Sequence, residues 1–201
     1  MLKKIVFWSL LCLTMAAHAE GGYEPVTPPQ PVQNPDKIEV IEFFWYGCPH
    51  CYHFEPELAA WLKSKPANVE FIRQPAVFSD LWAKHAKAFY TAEVLGVEDK
   101  LHADFFDAIQ NKKQKLVTED ELAKFFVEHG VKEAEFHSAY NSFGVDAKMR
   151  QAEGMGKRYG ITGVPSLIIN GKYRVTGPSA KSQENMLPVA NELIKQESQG
   201  K

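Results

Sequence analysis

Cysteine is scarce in this 201-residue chain, which holds Cys12, Cys48 and Cys51 and no others. So few residues do not make the disulfide framework of a small secreted scaffold. With 45% hydrophobic and 12% aromatic residues, the chain can bury a core without such staples. An excess of positive charge is missing as well. The 23 Lys and Arg face 25 Asp and Glu, whereas a nucleic-acid binder normally presents a basic patch. No repeat period is visible, and the composition is neither low in complexity nor charged enough for wholesale disorder. Long apolar runs are lacking too. The one at residues 5–17 is short for a helix that spans a bilayer.

That run reads as part of an export signal. Lys3 and Lys4 supply a basic start, the apolar stretch follows, and Ala17-His18-Ala19 gives the small-x-small pattern of a cleavage site. A membrane anchor is the weaker reading, because a polar, Pro-rich stretch follows. So is a lipid anchor on Cys12, since Leu11 before it is not small. Cleavage after Ala19 removes two of the 23 basic residues, leaving 21 against 25 acidic and a net charge near −4. It also removes Cys12, so Cys48 and Cys51 remain as a lone pair in an exported chain.

Residues 20–36 carry Pro25, Pro28, Pro29, Pro31 and Pro35 and read as an extended surface arm. Residues 37–46 (KIEVIEFFWY) are β-branched and aromatic, a buried strand that Gly47 ends. A helix then begins at the cysteines, with Pro49 in the first turn and an apolar face of Phe54, Leu58, Trp61 and Leu62. Pro56 inside it predicts a kink. Residues 69–76 read as a second strand. Residues 79–150 become uniformly helical, with aromatic stripes that the spacing assigns to core packing. Leu81, Ala88, Phe89 and Ala92 share one face, and Thr118 with Glu121 forms a capping box. A helix through Val145, Met149 and Ala152 ends at Gly160. Strands at 166–169 and 173–176 flank the hairpin signal Asn170-Gly171, and a helix at 179–196 closes the chain. The order predicts a small α/β sheet with an α-helical domain inserted after its second strand. The corresponding division is 37–78 with 151–201 for the sheet domain and 79–150 for the insert.

Cys48-Pro49-His50-Cys51 carries the chemistry. Zinc needs four ligands, usually from two such pairs. Covalent haem attachment wants His directly after the second Cys, where Tyr52 stands. A purely structural disulfide across this loop would contribute only about 2 kcal/mol. Redox catalysis remains, because a Cys pair between a strand and a helix has a mechanical logic. At a helix start, unpaired N–H groups and the positive dipole end favour the Cys48 thiolate, the form that attacks and leaves in disulfide exchange. His50 can add a donor or a charge. Cys51, one turn in, is expected to be more buried and to act as the resolving thiol. Glu42 is a charge on an otherwise apolar strand, which costs energy unless it has a role.

The run from Glu42 to Glu55, EFFWYGCPHCYHFE, resembles the bacterial periplasmic DsbA family. Gly163-Val164-Pro165, Asn170-Gly171-Lys172-Tyr173 and Leu95-Gly96-Val97-Glu98 agree with that resemblance. It implies a thioredoxin-like fold with an inserted α-helical domain, Cys48 as exposed nucleophile and Cys51 as its partner. It implies that Val164-Pro165 is a cis-proline loop facing the disulfide, and that Glu42 is a partly buried acid beneath it. Glu55 matches a second acid on the active-site helix, with Arg73 as basic partner, although a solvated surface pair is equally open at this point. His53, His85, His102, His129 and His137 show no ligand spacing and read as ordinary surface or half-buried residues. The prolines of the arm put the short N-terminal strand of some relatives in doubt.

The expectation is a monomeric periplasmic oxidant that gives its disulfide to reduced, unfolded exported proteins. No cofactor is required, since the disulfide is itself the oxidant. The resemblance implies reoxidation by a DsbB-type membrane quinone reductase. The alternatives are a disulfide isomerase or reductase of the same fold, a redox-independent peptide-binding chaperone, and a glutathione-using transferase.

Overall fold

The structure is a computed structural model and describes residues 21–200; the expected signal peptide at 1–19 lies outside the described residues. Seven residues rich in β-branched and aromatic side chains, Ile38–Phe44, form the fully buried strand β2, after the two-residue strand β1 (Glu24–Pro25). Helix α1 (Pro49–Ser64) follows, then β3 (Val69–Pro75). Five helices come next: α2 (Asp80–Val94), α3 (Glu98–Gln110), α4 (Glu119–Glu128), α5 (Glu133–Tyr140) and α6 (Phe143–Arg158). Strands β4 (Ser166–Ile169) and β5 (Tyr173–Thr176) and helix α7 (Met186–Gln199) complete the chain.

The five strands lie in the order β1-β5-β4-β2-β3, with β2 and β3 parallel and the other pairs antiparallel. The expected mixed α/β architecture is therefore present. Alternation along β2 sends Ile38 and Val40 toward α1 and α7, where they meet Phe54, Leu58, Met186 and Ala190. Ile41 and Phe43 point the other way, onto Met155 and Tyr159 of the α6 end. Burying a side chain such as Phe54 or Leu58 fully contributes roughly 1.5–3 kcal/mol. A third core, built on Phe105, Phe106, Phe126 and Phe136, fills the helical layer and reaches Phe44, Tyr46 and both cysteines. Helix α6 serves two cores, with Val145 and Ala152 in the helical one and Met155 beneath the sheet.

Several sequence expectations need correction. The Pro-rich segment does carry a strand: β1 pairs with β5, and the N–H groups of Val26 and Gln30 donate to Lys172 and Gly171. Proline withholds a donor only at its own position, so its neighbours still pair at a sheet edge. Gly171 permits this docking. It sits at φ +69°, and a Cβ there would come within 2.0 Å of the Gln30 carbonyl oxygen. The strand expected at 37–46 is β2, and it stops at Phe44 rather than Tyr46. The last helix starts at Met186, because Thr176, Ser179 and Asn185 tie the preceding residues into hydrogen-bonded turns. Leu81 points outward, 42% exposed, while Ala88, Phe89 and Ala92 are buried. Pro56 does not divide α1. The capping box of Thr118 and Glu121 is formed as expected.

Candidate active site

Cys48 is the N-cap of α1, in an extended conformation (φ −88°, ψ 115°), with Pro49 at the first helical position. Its sulfur accepts the Cys51 backbone N–H at 3.4 Å, satisfying one of the donors a helix start leaves open. Both cysteines are free thiols. Cys48 is 8% exposed and Cys51 fully buried. The two sulfurs are tuned in opposite directions. A hydrogen bond from the Cys51 thiol lowers the Cys48 pKa most. Burial opposes it, and the N–H groups of Cys51 and His50 and the His50 charge add to the lowering, from 9.0 to about 6. Burial pushes the Cys51 thiol well above its ordinary value, reinforced by its donation to Cys48 and by the charges of Cys48 and Glu42. A thiolate is thus held at the helix start and a protonated thiol one turn deeper.

The Val164–Pro165 peptide is cis, and the Cys48 thiol lies 3.4 Å from the Val164 carbonyl oxygen. Pro49 and His50 are exposed, and Gln183 donates to the His50 carbonyl at 3.0 Å. His50, Val164, Pro165, Pro178 and Met186 line a groove of about 580 Å³ beside the sulfur. A larger recess of about 810 Å³ follows β3 and touches Arg73 and Glu98; neither recess is lined by a cysteine, but only the first shares Val164, whose carbonyl meets the Cys48 sulfur. Chemistry rather than size selects the first. Among the described residues, no His, Cys, Asp or Glu cluster is placed to hold a metal ion.

Beneath the cysteines the register of β2 on β3 sets Glu42 beside Arg73. The guanidinium lies 3.8 Å from Glu42, 3.3 Å from Glu55 and 3.9 Å from Glu98. Glu42 is fully buried, and burial raises its pKa, with Glu55 and Glu98 adding to the effect and Arg73 opposing it. Burial also raises Glu98, to about 7. For Glu55 burial acts in the same sense, but His102 and Arg73 outweigh it and hold its carboxylate below the ordinary range. The pair Glu55–Arg73 is therefore not the solvated surface pair left open by the sequence, since both side chains are only about 15% exposed.

The sequence reading missed His102 and His85, which are buried. His102 bonds Tyr46 and Glu55 from α3. His85 accepts the Trp45 indole N–H at 3.0 Å, and Trp45 stacks on Trp82 at 4.2 Å. A Cβ at Gly47 would strike the Trp45 ring at 2.3 Å. The one available signal was spacing: His102 falls four residues after Glu98, on the face shared by Leu101, Phe105 and Phe106.

Residues 39–188 match the model of the DSBA-like thioredoxin domain. The thiol:disulfide interchange protein DsbA of Azotobacter vinelandii is 48% identical, over 83% of this chain and 78% of that one. Its Pseudomonas aeruginosa counterpart is 40% identical, over 98% and 97%. The crystal structure of Pseudomonas aeruginosa DsbA superimposes with a TM-score of 0.85 at 43% identity, covering 89% of this chain and 93% of that one. The oxidoreductase DsbA from Xylella fastidiosa gives 0.82 at 34%, covering 88% and 95%.

Proposed function

The chain belongs to the DsbA family of thiol–disulfide oxidoreductases, and from that premise we propose that its Cys48–Cys51 disulfide oxidises cysteine pairs in reduced, unfolded exported proteins. The observation that carries this reading is the asymmetry of the two sulfurs. A substrate thiolate attacks the Cys48 sulfur, the Cys48–Cys51 bond breaks, and Cys51 leaves and takes up a proton. The buried carboxyl of Glu42, whose charge acts on the Cys51 thiol, is the nearby group that can exchange that proton. A second substrate thiolate then attacks the substrate sulfur of the mixed disulfide, and Cys48 departs as a thiolate. Two electrons pass from substrate to enzyme. Of the two substrate protons, one ends on Cys51 and one goes to solvent. A leaving group with a pKa near 6 is stable at neutral pH, which drives exchange toward the reduced enzyme.

Pro49 and His50 act at the rim of this centre. The Val164 and Pro165 backbone borders the attacked sulfur, and the adjoining groove takes the extended chain on either side of the substrate cysteine. Glu55 serves the site through the acid cluster. The leader at 1–19 supports export to the bacterial periplasm, with the protein acting there as a monomer. A DsbB-type membrane quinone reductase restores the disulfide, and no bound cofactor takes part.

The test is stoichiometric. One equivalent of the oxidised protein is mixed with a reduced, unfolded two-cysteine protein at pH 7, and free thiols are counted on each. The substrate is expected to lose two thiols as the enzyme gains two. A substrate that keeps its thiols, with the enzyme still oxidised, overturns the reading.

A further inference from the structure

His102 is 4% exposed and packed among Phe44, Phe89 and Phe106, yet both ring nitrogens have polar partners. Nε2 lies 3.1 Å from Glu55 Oε1, and Nδ1 lies 2.9 Å from the Tyr46 hydroxyl. A carboxylate only accepts, so the hydrogen sits on Nε2 and points at Glu55. Nδ1 is then the acceptor, and Tyr46 donates to it. Glu55 and the donating hydroxyl together favour this tautomer over the other, which would leave the Nε2 lone pair facing a carboxylate and turn an N–H toward Tyr46 and Glu98 Oε1, 3.6 Å from Nδ1 and without a hydrogen-bond partner of its own.

The charged groups facing this imidazole are Glu55 from α1, Arg73 from β3, and Glu98 and Asp99 from its own helix; Glu42 of β2 stands behind Arg73. Three of these carboxyl groups, Glu42, Glu55 and Glu98, share the one guanidinium in a mostly buried site. One positive charge does not hold three negative ones there, so protons are retained and the groups titrate as a set. Donors decide which group keeps its proton. Glu55 receives two, from His102 and Arg73. Glu42 receives none on either oxygen, and Glu98 Oε1 receives none.

We propose that His102 is a positioning residue of the redox centre: held as the Nε2–H tautomer between Glu55 and Tyr46, it donates to Glu55 and so leaves the shared proton to the donor-poor acids Glu42 and Glu98, the first of them beneath Cys51. The helical layer thereby sets the protonation of the acid under the resolving thiol without touching either sulfur. This rests on the reading of Cys51 as the buried partner of Cys48. It is tested on the reduced protein alone, so its failure is separate from failure to oxidise a substrate.

The measurement is a carboxyl carbon NMR titration of the full chain, with Glu42→Gln and Glu55→Gln assigning the two signals. In the parent, Glu42 is expected to titrate above Glu55. His102→Leu removes the donor. The Glu55 midpoint should rise and that of Glu42 should fall, each by at least about one pH unit, a tenfold change in proton equilibrium. His102→Gln, which can donate and accept in the same places, should keep the parental order. Unchanged midpoints in the Leu variant overturn the proposal, as does a Gln variant that moves as far as Leu. Should the Leu variant not fold, Tyr46→Phe decides. It frees Nδ1 at constant ring size and should move both midpoints in the same directions; parental midpoints there overturn the proposal equally.

Discussion

Cys48→Ser and Cys51→Ser each retain under about 1% of the parental dithiol oxidation, because a disulfide cannot close on a single sulfur. The two variants differ in what they accumulate. With oxidised glutathione at pH 7, Cys51→Ser forms a stable mixed disulfide at Cys48. Cys48→Ser reacts at least about tenfold more slowly, because Cys51 is fully buried and remains a thiol at that pH. Low-pKa thiolates are individually weaker nucleophiles, which narrows the contrast without removing it, since access still separates the two sulfurs. Mass spectrometry of the adducts reads the result. Equal adduct formation on both variants would mean that Cys51 is reachable and that the assigned roles are wrong.

The second large effect is on stability. In the reduced protein Cys48 is an acid whose folded pKa, about 6, lies below its ordinary 9.0. For a depressed acid the stabilisation is fully present above the unfolded pKa and is lost as pH falls through the folded one. Between pH 6 and 9 the unfolded chain therefore holds one more proton. The stability of the reduced form relative to the oxidised form should rise by about 1.4 kcal/mol per pH unit. The oxidised form has its own advantage, about 2 kcal/mol of loop entropy. The two effects balance at about pH 7.5, so the reduced protein is the more stable form only above that pH. Denaturant unfolding of both redox forms at pH 6, 7 and 8 checks this. His50→Ala, which keeps the backbone N–H but removes the side-chain charge, should move the onset of this rise to higher pH. A difference that does not change with pH contradicts the assignment.

What could be read in the sequence follows from how local each feature is. The Cys48 cap, Pro49 at the first helical position, the capping box at Thr118 and the turn at Asn170-Gly171 are all written within four residues, and each is formed. Strands β4 and β5 coincide with the expected ones for the same reason. Glu42 was legible as a charge inside an apolar strand. His102 was not. It lies 56 positions from Tyr46 and 47 from Glu55, and only the packing of α3 against α1 and the β2–α1 turn brings them together. The pairing of β1 depends on contact with Lys172 and Gly171 far along the chain, which the prolines obscured. The first two turns of the expected last helix were lost to a side-chain network around Thr176 and Ser179 that helical periodicity cannot reveal.

The equilibrium between the Cys48–Cys51 pair and glutathione tests the central claim most directly. Reduction by two glutathione molecules leaves one thiolate at Cys48 and releases one proton above pH 6, so the constant should rise about tenfold per pH unit toward pH 8. At a fixed ratio of reduced to oxidised glutathione, the reduced fraction of the protein should therefore climb from pH 6 to pH 8. A constant indifferent to pH over that range would mark a structural or reducing centre and contradict the account.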